Sequence, residues 1–203
     1  VLVANGISLS GQMQGGPLVP GGVQFAVHSP TVRISPQQVQ LPAFDIEWAE
    51  ATLRGSFSAT LAEPRTVVAA IDLQAPSLRT LLATVGVTAP RTADPSALGK
   101  LRVQTSVLHD RNGTRLDTFD MRLDDTHLQG SASVPSRAPL ALRFDLSADR
   151  IDLDRYREPD DVRSEPFELP LAALKSFDAQ GVLRIERATV AGAAAREVRI
   201  DVE

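Results

Sequence analysis

Leu101-Arg102-Val103-Gln104-Thr105-Ser106-Val107 is followed, across Asp110-Arg111-Asn112-Gly113-Thr114, by Phe119-Asp120-Met121-Arg122-Leu123. Apolar and polar residues alternate strictly on both sides. Successive side chains on a strand point to opposite faces, so this alternation marks two strands with one dry and one wet side. Asn112-Gly113 between them is the favoured pair for a tight hairpin turn, because both residues tolerate positive φ. The same alternation recurs at Leu142, Phe144 and Leu146, at Leu183 and Ile185, and at Val198, Ile200 and Val202. Upstream, Phe44, Ile46 and Trp48 occupy even positions and Leu53, Phe57 and Leu61 odd ones, which requires a turn or bulge near Ala49 to Ala51. Val23 to Val27, Val32 with Ile34, and Val67 to Leu73 add further strands of five to eight residues.

Helical signals are few. Ser77 precedes Leu78, Leu81 and Leu82 at helical spacing, with Gly86 as a stop; Leu169 to Lys175 carries Pro170 near its first turn; Asp152 to Tyr156 suits a single turn. The expected fold is therefore mainly β: a long curved antiparallel sheet or sheets, groove-like or an open sandwich, with two or three short helices near 76–86, 152–156 and 169–176.

Short patterns repeat. Leu53-Arg54-Gly55-Ser56-Phe57-Ser58 answers Leu128-Gln129-Gly130-Ser131-Ala132-Ser133; Ile71-Asp72-Leu73 answers Phe144-Asp145-Leu146; Gly99 to Val103 answers Gly181 to Ile185; Met121 to Asp124 answers Val198 to Asp201. A unit of 75 to 80 residues is implied, stacked quasi-linearly. The division expected is residues 1–125 for the first unit or units and 126–203 for the second, in one continuous array.

Composition narrows the function. The chain has 203 residues, a formal charge of −4 and no cysteine. The negative balance argues against a nucleic-acid partner, which needs a concentrated positive face. Lack of cysteine removes disulfides, thiolate nucleophiles and Cys-rich zinc sites. Only 4% of residues are aromatic, so buried surfaces are built from aliphatic side chains. No apolar run approaches the roughly 20 residues of a membrane helix. Val1 and Glu203 both fall inside alternating or apolar runs, and the ends read as cuts in a longer protein.

Catalytic constellations are weak. Gly6-Ile7-Ser8-Leu9-Ser10-Gly11 lacks the G-x-S-x-G elbow and reads as a strand. His28, His109 and His127, with Asp124 and Asp125, lack metal-site spacing. In Asp110-Arg111-Asn112-Gly113 the glycine comes too early for a calcium loop. Asp152 and Asp154 fit a strand end and a helix cap better than a catalytic pair. No metal, cofactor or enzymatic activity is expected.

The order of motifs resembles the C-terminal region of AsmA family proteins. The residues that carry it are Ile151-Asp152-Leu153-Asp154-Arg155-Tyr156, the run Leu169 to Gly181, Leu123-Asp124-Asp125-Thr126-His127-Leu128-Gln129-Gly130-Ser131, and Leu81-Leu82-Ala83 with Gly86, Pro90, Asp94, Pro95 and Leu98. The resemblance implies a Gram-negative periplasmic protein tethered to the inner membrane by an N-terminal anchor that lies outside these residues. It also implies a role in outer-membrane biogenesis, with phospholipid or another acyl lipid passing along the aliphatic face of the sheet. The lining would then comprise Leu101, Val103, Val107, Phe119, Met121, Leu123, Leu142, Phe144, Leu146, Leu183, Ile185, Val198 and Ile200. A scaffold that recruits outer-membrane assembly proteins by strand addition at its sheet edges is the alternative.

Overall fold

A computed structural model describes residues 1–13, 23–136, 141–159 and 178–203. Eleven strands form one open sheet in sequence order. They are β1 (Leu2–Met13), β2 (Val23–Ile34), β3 (Gln38–Trp48), β4 (Ala51–Thr60), β5 (Thr66–Ala75), β6 (Leu101–Asp110), β7 (Gly113–Leu123), β8 (Thr126–Pro135), β9 (Ala141–Asp152), β10 (Asp178–Val190) and β11 (Ala193–Val202). The helix α1 (Leu78–Thr84) follows β5, and a 3-10 turn, η1 (Leu153–Tyr156), follows β9. The helix expected near 169–176 lies outside the described residues. Substantial contacts run only between neighbouring strands, so the sheet is a single layer.

Pairing is antiparallel throughout except between β9 and β10, which run parallel with Phe144 opposite Gly181 and Leu146 opposite Leu183. Parallel neighbours need a long crossover, and residues 153–177 supply that length. The strands have 10 to 13 residues, longer than alternation suggested. In β3, β6 and β7 a bulge contributes to the difference, since it resets which parity faces the dry side. In β3, Val39 and Leu41 share a face with Phe44, Ile46 and Trp48 because the register shifts between Leu41 and Phe44. In β7 the shift between Leu116 and Phe119 does the same.

Turn chemistry follows local geometry. Ala49 and Glu50 both have positive φ (50° and 65°), joining β3 to β4 as a primed two-residue turn. At the β6–β7 hairpin the tip is Arg111-Asn112, and neither has positive φ; Gly113, at φ 135°, is the first residue of β7. The expected hairpin is present, but with Asn112-Gly113 displaced by one position. Asp110 stabilises this tip by accepting from the Asn112 amide at 2.7 Å. In α1, the Ser77 hydroxyl accepts from Thr80 N at 3.1 Å, and Gly86 (φ 74°) closes the other end, where Val87 N donates to Leu82 O.

Register makes the repeat structural. Phe44, Gly55 and Ile71 are successive partners across β3, β4 and β5, as Phe119, Gly130 and Leu146 are across β7, β8 and β9, each 75 residues later. The bulges recur at the same offset, Leu41/Phe44 against Leu116/Phe119. Ile71 therefore matches Leu146 and not Phe144, the pairing suggested by sequence alone. Val103 opposite Met121 and Leu101 opposite Leu123 match Ile185 opposite Val198 and Leu183 opposite Ile200. Strand β7 belongs to both series, so the period is four strands, with the β10–β11 hairpin reversed in direction relative to β6–β7 because β10 runs parallel to β9 and β6 antiparallel to β5.

The two equivalent glycines are steric necessities. A Cβ on Gly55 would lie 2.0 Å from Ala70 O, and one on Gly130 would lie 2.0 Å from Asp145 O. Gly130→Ala is expected to destabilise by about 1–3 kcal/mol, a drop of roughly 2–4 °C in melting temperature per kcal/mol. Gly6→Ala, at φ 64° with open space around its Cβ, carries the strain of that backbone conformation alone and should cost less; equal melting temperatures for the two variants in scanning calorimetry would contradict the close approach.

Candidate functional site

Cross-strand register places one aliphatic row across all eleven strands: Leu9, Val27, Ile46, Leu53, Leu73, Val103, Met121, Leu128, Ala148, Ile185 and Val198. A second row runs Phe44, Gly55, Ile71, Thr105, Phe119, Gly130, Leu146, Leu183, Ile200. A third runs Leu41, Phe57, Ala69, Val107, Leu116, Ala132, Phe144, Gly181, Val202. Directly paired residues share a face, so the thirteen residues expected to line a groove fall on one side. Leu101 and Leu123 pair with each other, and Leu142 lies two residues before Phe144 in β9.

What covers this face differs along it. Among the described residues the buried apolar side chains are Ala51, Ala59, Ala75, Ala97, Leu101, Ala148, Ile185 and Ala188, six of the eight being alanine. A two-layer core would bury large side chains fully, and none is. Leu78 and Leu81 of α1 pack on the cluster of Ala51, Ala75 and Leu101, together with Val103, Met121 and Leu123. Those four candidate residues lie in the cluster packed with α1. Ile185, Leu183 and Val198 belong to a second cluster around Ala148 and Ala188. Val107, Phe119, Phe144 and Leu146 are half-buried, and Leu142 and Ile200 are exposed at 38% and 37%.

The phenylalanines keep the relief of the face low. A Cβ on Gly11 would meet Phe25 at 3.3 Å, on Gly55 Phe44 at 3.0 Å, and on Gly181 Phe144 at 2.7 Å. Each ring occupies the space its partner glycine leaves, lying against the backbone.

The opposite face is polar and self-paired. Arg54 bonds Asp45 at 2.5 Å, Arg102 bonds Asp72 at 2.8 Å, and Arg184 bonds Asp145. The histidines stay apart: His28 with Ser8, His109 with Thr114, and His127 with Asp120 at 2.7 Å. Among the described residues no group of carboxylates and imidazoles is arranged to hold a metal.

One end of the sheet is closed by a polar cluster that the sequence did not reveal. The Asp124 carboxylate, in the β7–β8 turn, accepts from Leu98 N at 2.9 Å, Gly99 N at 2.8 Å and the Tyr156 hydroxyl at 2.8 Å. Arg155 reaches both Asp94 and Asp125 at 2.8 Å. Asp154 accepts from the amides of Ala191 and Gly192 in the β10–β11 turn, and Asp152 caps η1. The two carboxylates weighed as a catalytic pair thus hold backbone. The motifs at Asp94 and Asp124-Asp125 were visible in sequence, but their partners are up to 61 residues away.

No protein family, no curated protein and no solved structure matches this chain.

The hydroxyl and amide of Ser96, followed by Arg155, hold the Asp94 carboxyl down from its ordinary 3.8 to about 2. A carboxyl lowered by folding adds stability that is complete above its unfolded value and is lost as pH falls through the folded one. The contribution of Asp94 should therefore vanish progressively between about pH 4 and pH 2. Asp94→Asn should flatten the stability curve across that interval in chemical denaturation; an unchanged slope would count against the cluster's role.

Proposed function

We propose that this chain is a non-enzymatic, AsmA-like segment of a periplasmic protein tethered to the inner membrane, and that its apolar face binds and conducts phospholipid in outer-membrane biogenesis. The observation that carries the reading is the aliphatic row unbroken across eleven strands of a single-layer sheet. At about 4.8 Å between strands the row extends for roughly 48 Å. One leaflet of hydrocarbon is about 15 Å deep, half of the bilayer core. The row is thus about three tails long. Each methylene moved from water onto it gains about 0.8 kcal/mol, so ten give roughly 8 kcal/mol before ordering costs. Away from α1, a tail displaced by one strand meets a like surface, so its energy changes little as it slides there; at Leu73, Val103 and Met121 the row is shared with Leu78 and Leu81 of the helix.

Organic extracts of the purified chain, compared by mass spectrometry with a control protein prepared identically, should contain near-stoichiometric phospholipid. Leu142→Asp and Ile200→Asp change exposed positions on the apolar face and should lower recovered lipid several-fold with the fold intact by circular dichroism. Gln129→Asp on the polar face should leave it unchanged. Lipid-free wild-type protein would refute the reading.

A second reading, recruitment of a protein strand, is favoured by one edge. Strand β1 contains no charged residue and no proline, the features that usually guard an edge. The β11 edge carries Arg196, Glu197, Arg199 and Asp201, with a break at Glu197 (φ 54°). A photo-crosslinker at Ser8 that traps protein in place of lipid would favour this alternative.

A further inference from the structure

On the polar face, near the sheet end away from α1, Arg115, Ser133 and Arg143 are successive partners on β7, β8 and β9, with Gln180 of β10 next. They alternate with Leu116, Ala132 and Phe144 of the third aliphatic row and so point to the other side. The two arginines flank the serine at one strand spacing each, about 4.8 Å. They border a cleft of about 380 Å³ whose walls include Ser131, Asp145 and Gln180.

The charge in this cleft is incompletely balanced. Asp145 is engaged by Arg184, and Asp117 lies 3.8 Å from Arg115, both side chains more than half exposed. Among the described residues no hydrogen-bond or ion-pair partner reaches the Arg143 guanidinium or the Ser133 hydroxyl. On this face Arg54, Arg102, Arg184 and Arg199 each hold an aspartate within 2.8 Å or less.

The repeat supplies an internal comparison. Seventy-five residues earlier, the same three positions are Gln40, Ser58 and Val68, again successive partners across β3, β4 and β5. The serine is common to both units. The two arginines are peculiar to the second, so the repeating fold forms without them.

We propose that Arg115, Ser133 and Arg143 form a binding site for a phosphate group, independent of the apolar face. Guanidinium groups give paired N–H donors that match phosphate oxygens, and a hydroxyl between them adds a third donor. The phosphate could belong to a lipid head group reaching round the sheet end or to a free phosphate; the shared chemistry is a tetrahedral anion held between two arginines.

The test titrates the chain with inorganic phosphate and, separately, with phosphatidylcholine vesicles with and without phosphatidylglycerol, at low and moderate salt. Binding should weaken with salt. Arg115→Gln with Arg143→Val, which copies the first unit, should lose at least tenfold in affinity at an unchanged melting temperature. Arg143→Gln alone should lose severalfold and serves if the double variant folds poorly. Arg33→Gln with Arg65→Gln removes the same charge outside the cleft and should bind like wild type. Phosphate binding with this variant pattern identifies a free-anion site, and the pattern with phosphatidylglycerol vesicles alone identifies a head-group site. Absence of binding to either probe, retained affinity in the double variant, or equal loss in the Arg33/Arg65 control would overturn the proposal.

Discussion

Register between neighbouring strands is the constraint on which everything else in this molecule depends. In a two-layer protein a slipped strand is penalised by the opposing layer, but here each strand touches little beyond its two neighbours. A slip of one residue would exchange the faces, placing Arg102 or Asp145 among the aliphatic rows. Register is held locally instead. Bulges at Leu41/Phe44 and Leu116/Phe119 reset parity at equivalent points, and Phe44 over Gly55 makes a pair that fits only one alignment. On the wet side Asp45 with Arg54 and Asp72 with Arg102 join partners on adjacent strands. Each such exposed pair stabilises little, about 0–1 kcal/mol, yet each disfavours the shifted alternative by placing like charges together.

The closed end complements this. Hairpin turns and strand ends would leave unsatisfied amides at the sheet rim, and carboxylates there take them up: Asp124 for Leu98 and Gly99, Asp154 for Ala191 and Gly192, Asp149 for His127 and Arg150. Asp124 is in a turn and Asp154 just beyond a strand end, where a short side chain reaches backbone without stretching. The result is that α1, the segment after it and η1 are fastened to one rim, while at the other short loops join β2 to β3, β4 to β5 and β6 to β7.

The hairpin at 101–123 was legible because period-2 alternation is a local property written directly in the side chains. The β3–β4 turn was legible for the same reason, since Trp48 and Leu53 have opposite parity. The lengths of β3, β6 and β7 were not, because a bulge looks in sequence like an ending. The parallel β9–β10 pair was hidden as well: Leu183 and Ile185 alternate identically whichever way their neighbour runs. Within the candidate face, alternation placed the thirteen residues on one side but said nothing of α1, whose Leu78 and Leu81 occupy the surface beside Leu101. The Arg155 bridge to Asp94 and Asp125 joins residues distant in the chain, and charged residues in loops carry no pattern that names their partners.

Alternation also separates two kinds of information in the repeat. Within the three rows, equivalent positions of β3 to β5 and β7 to β9 stay apolar or glycine, Ile71 with Leu146 and Phe44 with Phe119, because each is wedged between two neighbours and a ring or a backbone carbonyl limits its size. On the polar side the equivalents diverge freely, Arg54 against Gln129 and Val68 against Arg143, because a solvated side chain is constrained only by its cross-strand partner. A sheet of one layer can therefore hold a uniform apolar surface along its length while the opposite face differs from unit to unit. Any function that needs uniformity belongs on the first face, and any that needs a particular place along the array belongs on the second.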